Sequence, residues 1–212
     1  MTWDPFGTLG RALWIGGGQW AGKSTVSRLL AYRHRLTAYH YDYHDARAHN
    51  DRRAAQGTAL KPGQWIGHTA EALAASALRD FVVRFEWVLD DLRALVSGVP
   101  IVAEGWGLRP ELVAPIAHDP RQMIVMIPTE EWRRHQLLVL PRASSFGPAV
   151  TDPEAALRLR MERNRLIAED AAASAHRLGI RVMKVDGTLD AEAIADIVED
   201  HFAPFLSARP PW

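Results

Sequence analysis

The stretch Gly17-Gly18-Gln19-Trp20-Ala21-Gly22-Lys23-Ser24 follows the pattern G-x-x-x-x-G-K-[ST], the Walker A phosphate-binding loop. No other part of the chain restricts the fold so strongly. The motif works only between a strand and a helix, and both are legible here. Ala12-Leu13-Trp14-Ile15 reads as a short buried strand, and a helix over about 22–34 places Val26, Leu29 and Leu30 on one face. Glycines let the backbone wrap a phosphate with N–H groups turned inward, and the helix adds the positive end of its dipole. Lys23 is expected to reach the β- and γ-phosphates, and the Ser24 hydroxyl to ligate Mg²⁺. Gly17 to Thr25 is thus the expected nucleotide site. Lysine occurs at only three positions, 23, 61 and 184, which makes a chance lysine in this loop less credible.

A looser pattern overlaps it. Gly16-x-Gly18-x-x-Ala21 with Asp42 downstream imitates a dinucleotide fingerprint. That fingerprint does not ask for Lys-Ser at the helix start, and the Walker pattern does.

The 212 residues suit one α/β domain with inserted segments, and 48% hydrophobic residues can fill its core. A formal net charge of zero gives no reason to expect nucleic acid as a partner. Without cysteine there is neither a disulfide nor a thiolate site. No run approaches the roughly 18 apolar residues of a membrane span, and no secretory pattern opens the chain. A cytoplasmic protein with no membrane partner is the expectation.

Five short strands are expected at about 12–16, 36–41, 99–104, 122–127 and 180–186. They alternate with helices, which implies a parallel sheet covered on both faces. A helix or pair of helices spans about 69–96, with Phe81, Phe85, Val88, Leu89 and Leu92 on one face and Gly98 at its end. Residues 46–64 read as a short helix and a loop. Residues 140–152, rich in proline and serine, read as a mobile loop, followed by a helix capped by Asp152.

In such a sheet ligands sit at the carboxyl ends of the strands, where the chemistry-bearing residues fall. Glu104 closes the apolar third strand and reads as the Walker B acid at Mg²⁺, against a capping role. Asp42 closes the second strand and is the first choice for a carboxylate that takes the proton of an acceptor hydroxyl, with Asp45 second. His40, His44 and His49 lack paired-ligand spacing and read as surface or substrate-contacting groups. Arg133, Arg134, Arg142, Arg158, Arg160, Arg163 and Arg165 surround the mobile loop. Arg158, Glu162, Arg165 and Glu169 form an ion-paired helix stripe, which leaves Arg142 and Arg163 as the arginines expected over a transferring phosphoryl group. Arg79 and Arg84 are candidates for an anionic acceptor. Asp186-Gly187 makes a turn expected to pass the adenine ring.

Gly17–Ser24, Glu104-Gly105, the arginines of 133–165 and Val185-Asp186-Gly187-Thr188 together resemble the nucleoside-monophosphate-kinase-like P-loop kinases. That group takes in nucleotide, shikimate and gluconate kinases and enzymes of the chloramphenicol-phosphotransferase type. The resemblance implies a three-layer P-loop NTPase fold with a five-stranded parallel sheet in the order 2-3-1-4-5 and a lid after strand four. It implies ATP and Mg²⁺, an acceptor site built by 43–97, and transfer to a hydroxyl of a small molecule. Residues 43–97 match no particular subfamily. A nucleotide-type kinase and a non-catalytic ATP-binding module are the competing readings. A GTPase is disfavoured by the missing Asn-Lys-x-Asp signature.

Overall fold

The computed structural model describes residues 3–58, 67–140, 150 and 152–206. Its centre is a five-stranded, all-parallel sheet in the order β2-β3-β1-β4-β5. The strands are β1 Leu13–Gly17, β2 Thr37–His40, β3 Ile101–Glu104, β4 Met123–Pro128 and β5 Arg181–Val185. Helices α1 Lys23–His34, α2 Tyr41–His44, α3 Asn50–Ala55, α4 Ala70–Leu95, α5 Pro110–Val113, α6 Glu130–Val139, α7 Pro153–Arg177 and α8 Ala191–Leu206 connect them. This is the P-loop NTPase fold that the resemblance implies.

The continuous apolar runs become the sheet's interior because both faces are covered. Every residue of β1 and β3 is buried. Alternate side chains then divide the core in two. Trp14, Tyr39, Ile101, Ala103 and Val125 pack toward α4, α5 and α7. Leu13, Ile15, Val102, Ile124 and Met126 pack toward α1 and α8. Helix α4 lays the expected face, Phe81, Phe85, Val88, Leu89 and Leu92, on the first of these cores. Each such side chain contributes about 1.5–3 kcal/mol by leaving water.

Three boundaries differ from expectation. Helix α4 stops at Leu95, and Val96 rather than Gly98 takes the left-handed conformation, with φ 41°. Burial on that helix ends at Leu92, while Leu95 and Val96 are exposed, so packing holds nothing beyond it. Strand β2 ends at His40, and the chain turns at once into helix, so Asp42 lies in a first helical turn instead of closing the strand. Residues 41–55 are helical throughout, with a π-type turn over Asp45–His49, so the short helix expected within 46–64 begins earlier, at Tyr41, and much of the loop expected after it falls on 59–66, outside the described residues. The expected loop 140–152 and Arg142 fall largely on 141–149 and 151, outside the described residues.

Candidate active site

Parallel register brings the carboxyl ends of β1, β2 and β3 side by side. Ile15 and His40 both lie opposite Glu104. The phosphate loop leaves β1 through Gly17, where φ is 111° and an added Cβ would sit 2.2 Å from the Met126 carbonyl oxygen. Only glycine fits there. The loop closes with Trp20 at φ 64° and Gly22 at φ 79°, and α1 begins at Lys23. Lys23 is 5% exposed, and its Nζ donates to the Gly18 carbonyl at 2.6 Å. Ser24, one residue on, is exposed.

Glu104 is 1% exposed. Its Oε1 lies 2.8 Å from His40 Nδ1, whereas Oε2 has no hydrogen-bond partner. A buried carboxylate oxygen left unpartnered is costly. A hard cation that takes oxygen ligands would suit it, and Ser24 is the residue whose hydroxyl could join it there. Among the described residues no three His, Asp or Glu side chains gather as a protein-only metal cage.

Asp42 stands beside these groups. Protein crowded about its carboxyl pushes its pKa up to about 6. The Lys23 charge opposes the rise, Glu104 and Asp45 add to it, and a hydrogen bond from the Trp106 backbone N–H holds it down. The residue keeps solvent-exposed surface, so the shift bears on reactivity more than on stability. Asp45 has a different part. It pairs with the buried Arg84 and accepts from Tyr41 Oη at 3.4 Å. Asp45, Asp80, Phe81, Arg84, Trp106 and Arg163 line a cavity of about 140 Å³; Asp42 is not in that lining, but two of its members act on it, Trp106 through its backbone N–H and Asp45 through its charge.

Arg163 reaches this cavity from α7. Its guanidinium lies 5.3 Å from the centre of the Trp106 ring, and burial, then the charge of Arg160, lowers its pKa to about 10. Other arginines of the region are tied to carboxylates: Arg133 and Arg134 to Glu130, Arg158 to Glu154, and Arg165 to Glu162 and Glu169. A larger cavity of about 310 Å³ between α6 and α7 is lined by several of these paired arginines with Leu137, Leu157 and Met161, and by nothing from the phosphate loop. Arg79 is exposed. Asp186 spends its Oδ1 on its own turn, accepting from the Thr188 N–H at 2.9 Å and Oγ1 at 2.6 Å. At Gly187, φ 84°, an added Cβ would strike the Trp132 ring at 2.3 Å, so that turn packs on an aromatic face.

The histidines are not all on the surface. His49 is fully buried, with Nε2 2.9 Å from Asp91 Oδ2. The same oxygen accepts from Tyr39 Oη at 2.9 Å, and the His44 ring stacks on Tyr39 at 4.4 Å. This cluster fastens residues 39–49 to α4. Tyr39→Phe removes one hydrogen bond to a carboxylate and should cost about 1.5 kcal/mol. Urea unfolding at neutral pH measures it, and an unchanged midpoint would remove the cluster's role as a fastening.

Sequence reading passed over two further groups. Arg109 is 1% exposed and binds the Ile167 carbonyl at 3.0 Å, Glu111 at 3.0 Å, and Asp170, tying the loop after β3 to α7. Asn164 is 4% exposed and donates to Gln19 Oε1 at 2.5 Å. An asparagine interrupting the apolar helix stripe of Ile167, Ala168, Ala171 and Ala175 was the available signal.

Fold and loop together define a P-loop architecture, a parallel sheet in the order β2-β3-β1-β4-β5 with the Walker A stretch at 17–24 between β1 and α1. Three solved structures are similar. A gluconokinase from Sinorhizobium meliloti 1021 is 16% identical, with 93% of this chain and 94% of that one covered and a TM-score of 0.44. A shikimate kinase from Acinetobacter baumannii in complex with shikimate is 16% identical, with 94% and 98% covered and a TM-score of 0.45. A shikimate kinase from Aquifex aeolicus is 14% identical, with 90% and 95% covered and a TM-score of 0.38. These likenesses are distant and say nothing of the chemistry, which rests on the residues above. No family model matches the chain, and no curated protein matches it. No described helix is long and apolar enough to cross a membrane.

Proposed function

We propose that the protein is an ATP-dependent phosphotransferase that moves the γ-phosphoryl group to a hydroxyl of a small molecule. The supporting observation is Asp42, a carboxylate with a pKa of about 6 that feels the Lys23 charge and is held by the backbone of Trp106, a residue that lines a small cavity. A general base is best with a pKa near the working pH. At neutral pH Asp42 is largely ionised, and it accepts the proton of an acceptor hydroxyl seated in the cavity. Lys23 exchanges the Gly18 carbonyl for phosphate oxygens. Ser24 and Glu104 Oε2 would hold Mg²⁺, which supplies positive charge against the phosphates. Arg163, in the lining of the cavity, adds positive charge there. Residues 43–97, through α2, α3 and α4, form the acceptor side, and the adenine ring lies toward the Asp186-Gly187 turn. Asp45, committed to Arg84, shapes the cavity and is not the base.

The test is ATP consumption over a panel of small alcohols, sugars, aminoglycosides and nucleosides, with Asp42→Asn as the control. One acceptor should give a phosphorylated product that the variant does not make. Tight ATP binding with no product from any acceptor would favour a regulatory nucleotide-binding module. Tight NAD binding indifferent to Lys23→Ala would overturn the phosphate-loop reading altogether.

A further inference from the structure

The Asn164 carboxamide stands between the two halves of the site. Its Oδ1 accepts from Arg163 Nε at 3.0 Å and Nη2 at 2.8 Å, and its Nδ2 donates to Gln19 Oε1 at 2.5 Å. Guanidinium is a donor only. The atom facing Arg163 must therefore be the Asn164 oxygen, which settles the amide orientation that distances alone leave open. The Asn164 nitrogen then faces Gln19 and must meet an acceptor, so Gln19 presents its oxygen inward. What Gln19 has left is its Nε2 amide, a donor, on the third residue of the phosphate loop. The chain of bonds runs in one direction, from the guanidinium over Trp106 through Asn164 to the side chain of Gln19. A free glutamine could present either end to a phosphate. This one has its oxygen engaged by Asn164, which leaves the donor as the end it can offer.

We infer that Asn164 is a positioning residue that holds Gln19 as a hydrogen-bond donor to a phosphate oxygen of the bound nucleotide, and that it takes its own orientation from Arg163 in the acceptor cavity. This rests on the phosphate-loop reading of 17–24. It also gives the two substrates a physical link: a ligand that draws Arg163 away releases the amide that fixes Gln19.

The experiment measures ATP·Mg²⁺ affinity by calorimetry for the wild type, Gln19→Ala, Asn164→Ala and the double variant, with thermal melts to verify folding. Hydrogen bonds to charged groups support a loss of about tenfold or more for Gln19→Ala. Asn164→Ala should lose a similar factor, and the double variant should bind no worse than Gln19→Ala. Independent losses that multiply in the double variant would show that Asn164 does not act through Gln19, and would overturn the inference. Asn164→Asp is the second variant, should the alanine fail to fold. It keeps the shape and both Arg163 bonds but cannot donate to Gln19, and its charge is met by Arg163. It too should weaken binding; wild-type affinity in Asn164→Asp would overturn the proposal. A wild type that does not bind ATP·Mg²⁺ at all would instead remove the phosphate-loop reading, and the inference with it.

Discussion

Asp42→Asn is expected to lower kcat by about 10²- to 10⁴-fold, the usual range for losing a positioned general base, while ATP·Mg²⁺ still binds. The carboxamide keeps the shape of the carboxyl group but cannot take the acceptor proton. The pH profile gives an independent check. Asp42 must be ionised to act and its pKa is about 6, so kcat/KM of the wild type should rise through about pH 6 and level off above it. In Asp42→Asn that limb should vanish. Stability should move the other way. A carboxyl pKa raised above its unfolded value of about 3.9 means that the folded state binds this proton the more tightly. The contribution is full below about pH 4 and is lost as pH rises through about 6. Asparagine has no such loss, so the variant should melt no lower than wild type at pH 7. A functional carboxylate held against its own preference is the usual exchange of stability for activity. Wild-type turnover in Asp42→Asn with the true acceptor would take the base away from Asp42.

How much of this was open to reading depends on the range of each interaction. The phosphate loop depends on residues within eight positions of each other and on special backbone angles at glycines, so its pattern is written locally. The strands β1, β3 and β4 are continuous apolar runs, and only a sheet covered on both faces asks for them. The long helix showed in its period, and one cap was legible from side-chain chemistry: Asp152 accepts from the Ala155 N–H at 2.9 Å. What stayed hidden was pairing at long range. His40 meets Glu104 only because β2 and β3 pair in one register. Arg84, read as a possible anion holder, has an anion already in Asp45, thirty-nine positions away. Asn164 and Gln19 lie 145 positions apart. Helix start at Tyr41 was missed because nothing separates it from β2: no proline, glycine or turn stands between Thr37 and Asp45. The acceptor side is thus the less legible half, since it is made of contacts between elements and has no motif of its own.

Lys23→Met carries the second large effect, and it should show in two separable ways. The ammonium is buried against the Gly18 carbonyl, and methionine keeps most of the apolar stem and loses the charge. Removing one preorganised electrostatic partner of a developing phosphoryl charge costs about 10²- to 10³-fold in kcat, and ATP binding should weaken with it. The second effect follows from Asp42. The Lys23 charge lowers the Asp42 pKa, against burial and the charges of Glu104 and Asp45. Without it that pKa must rise above about 6, so the limb of residual activity should move to higher pH. Lys23→Arg separates the two effects. It restores a positive charge, and with it the position of the limb, but a planar guanidinium does not replace a compact ammonium against phosphate, so the rate stays low. If the limb of Lys23→Met stayed at about pH 6, the lysine and the base would not share one site, and the cleft beside Asp42 would have to receive its donor from elsewhere.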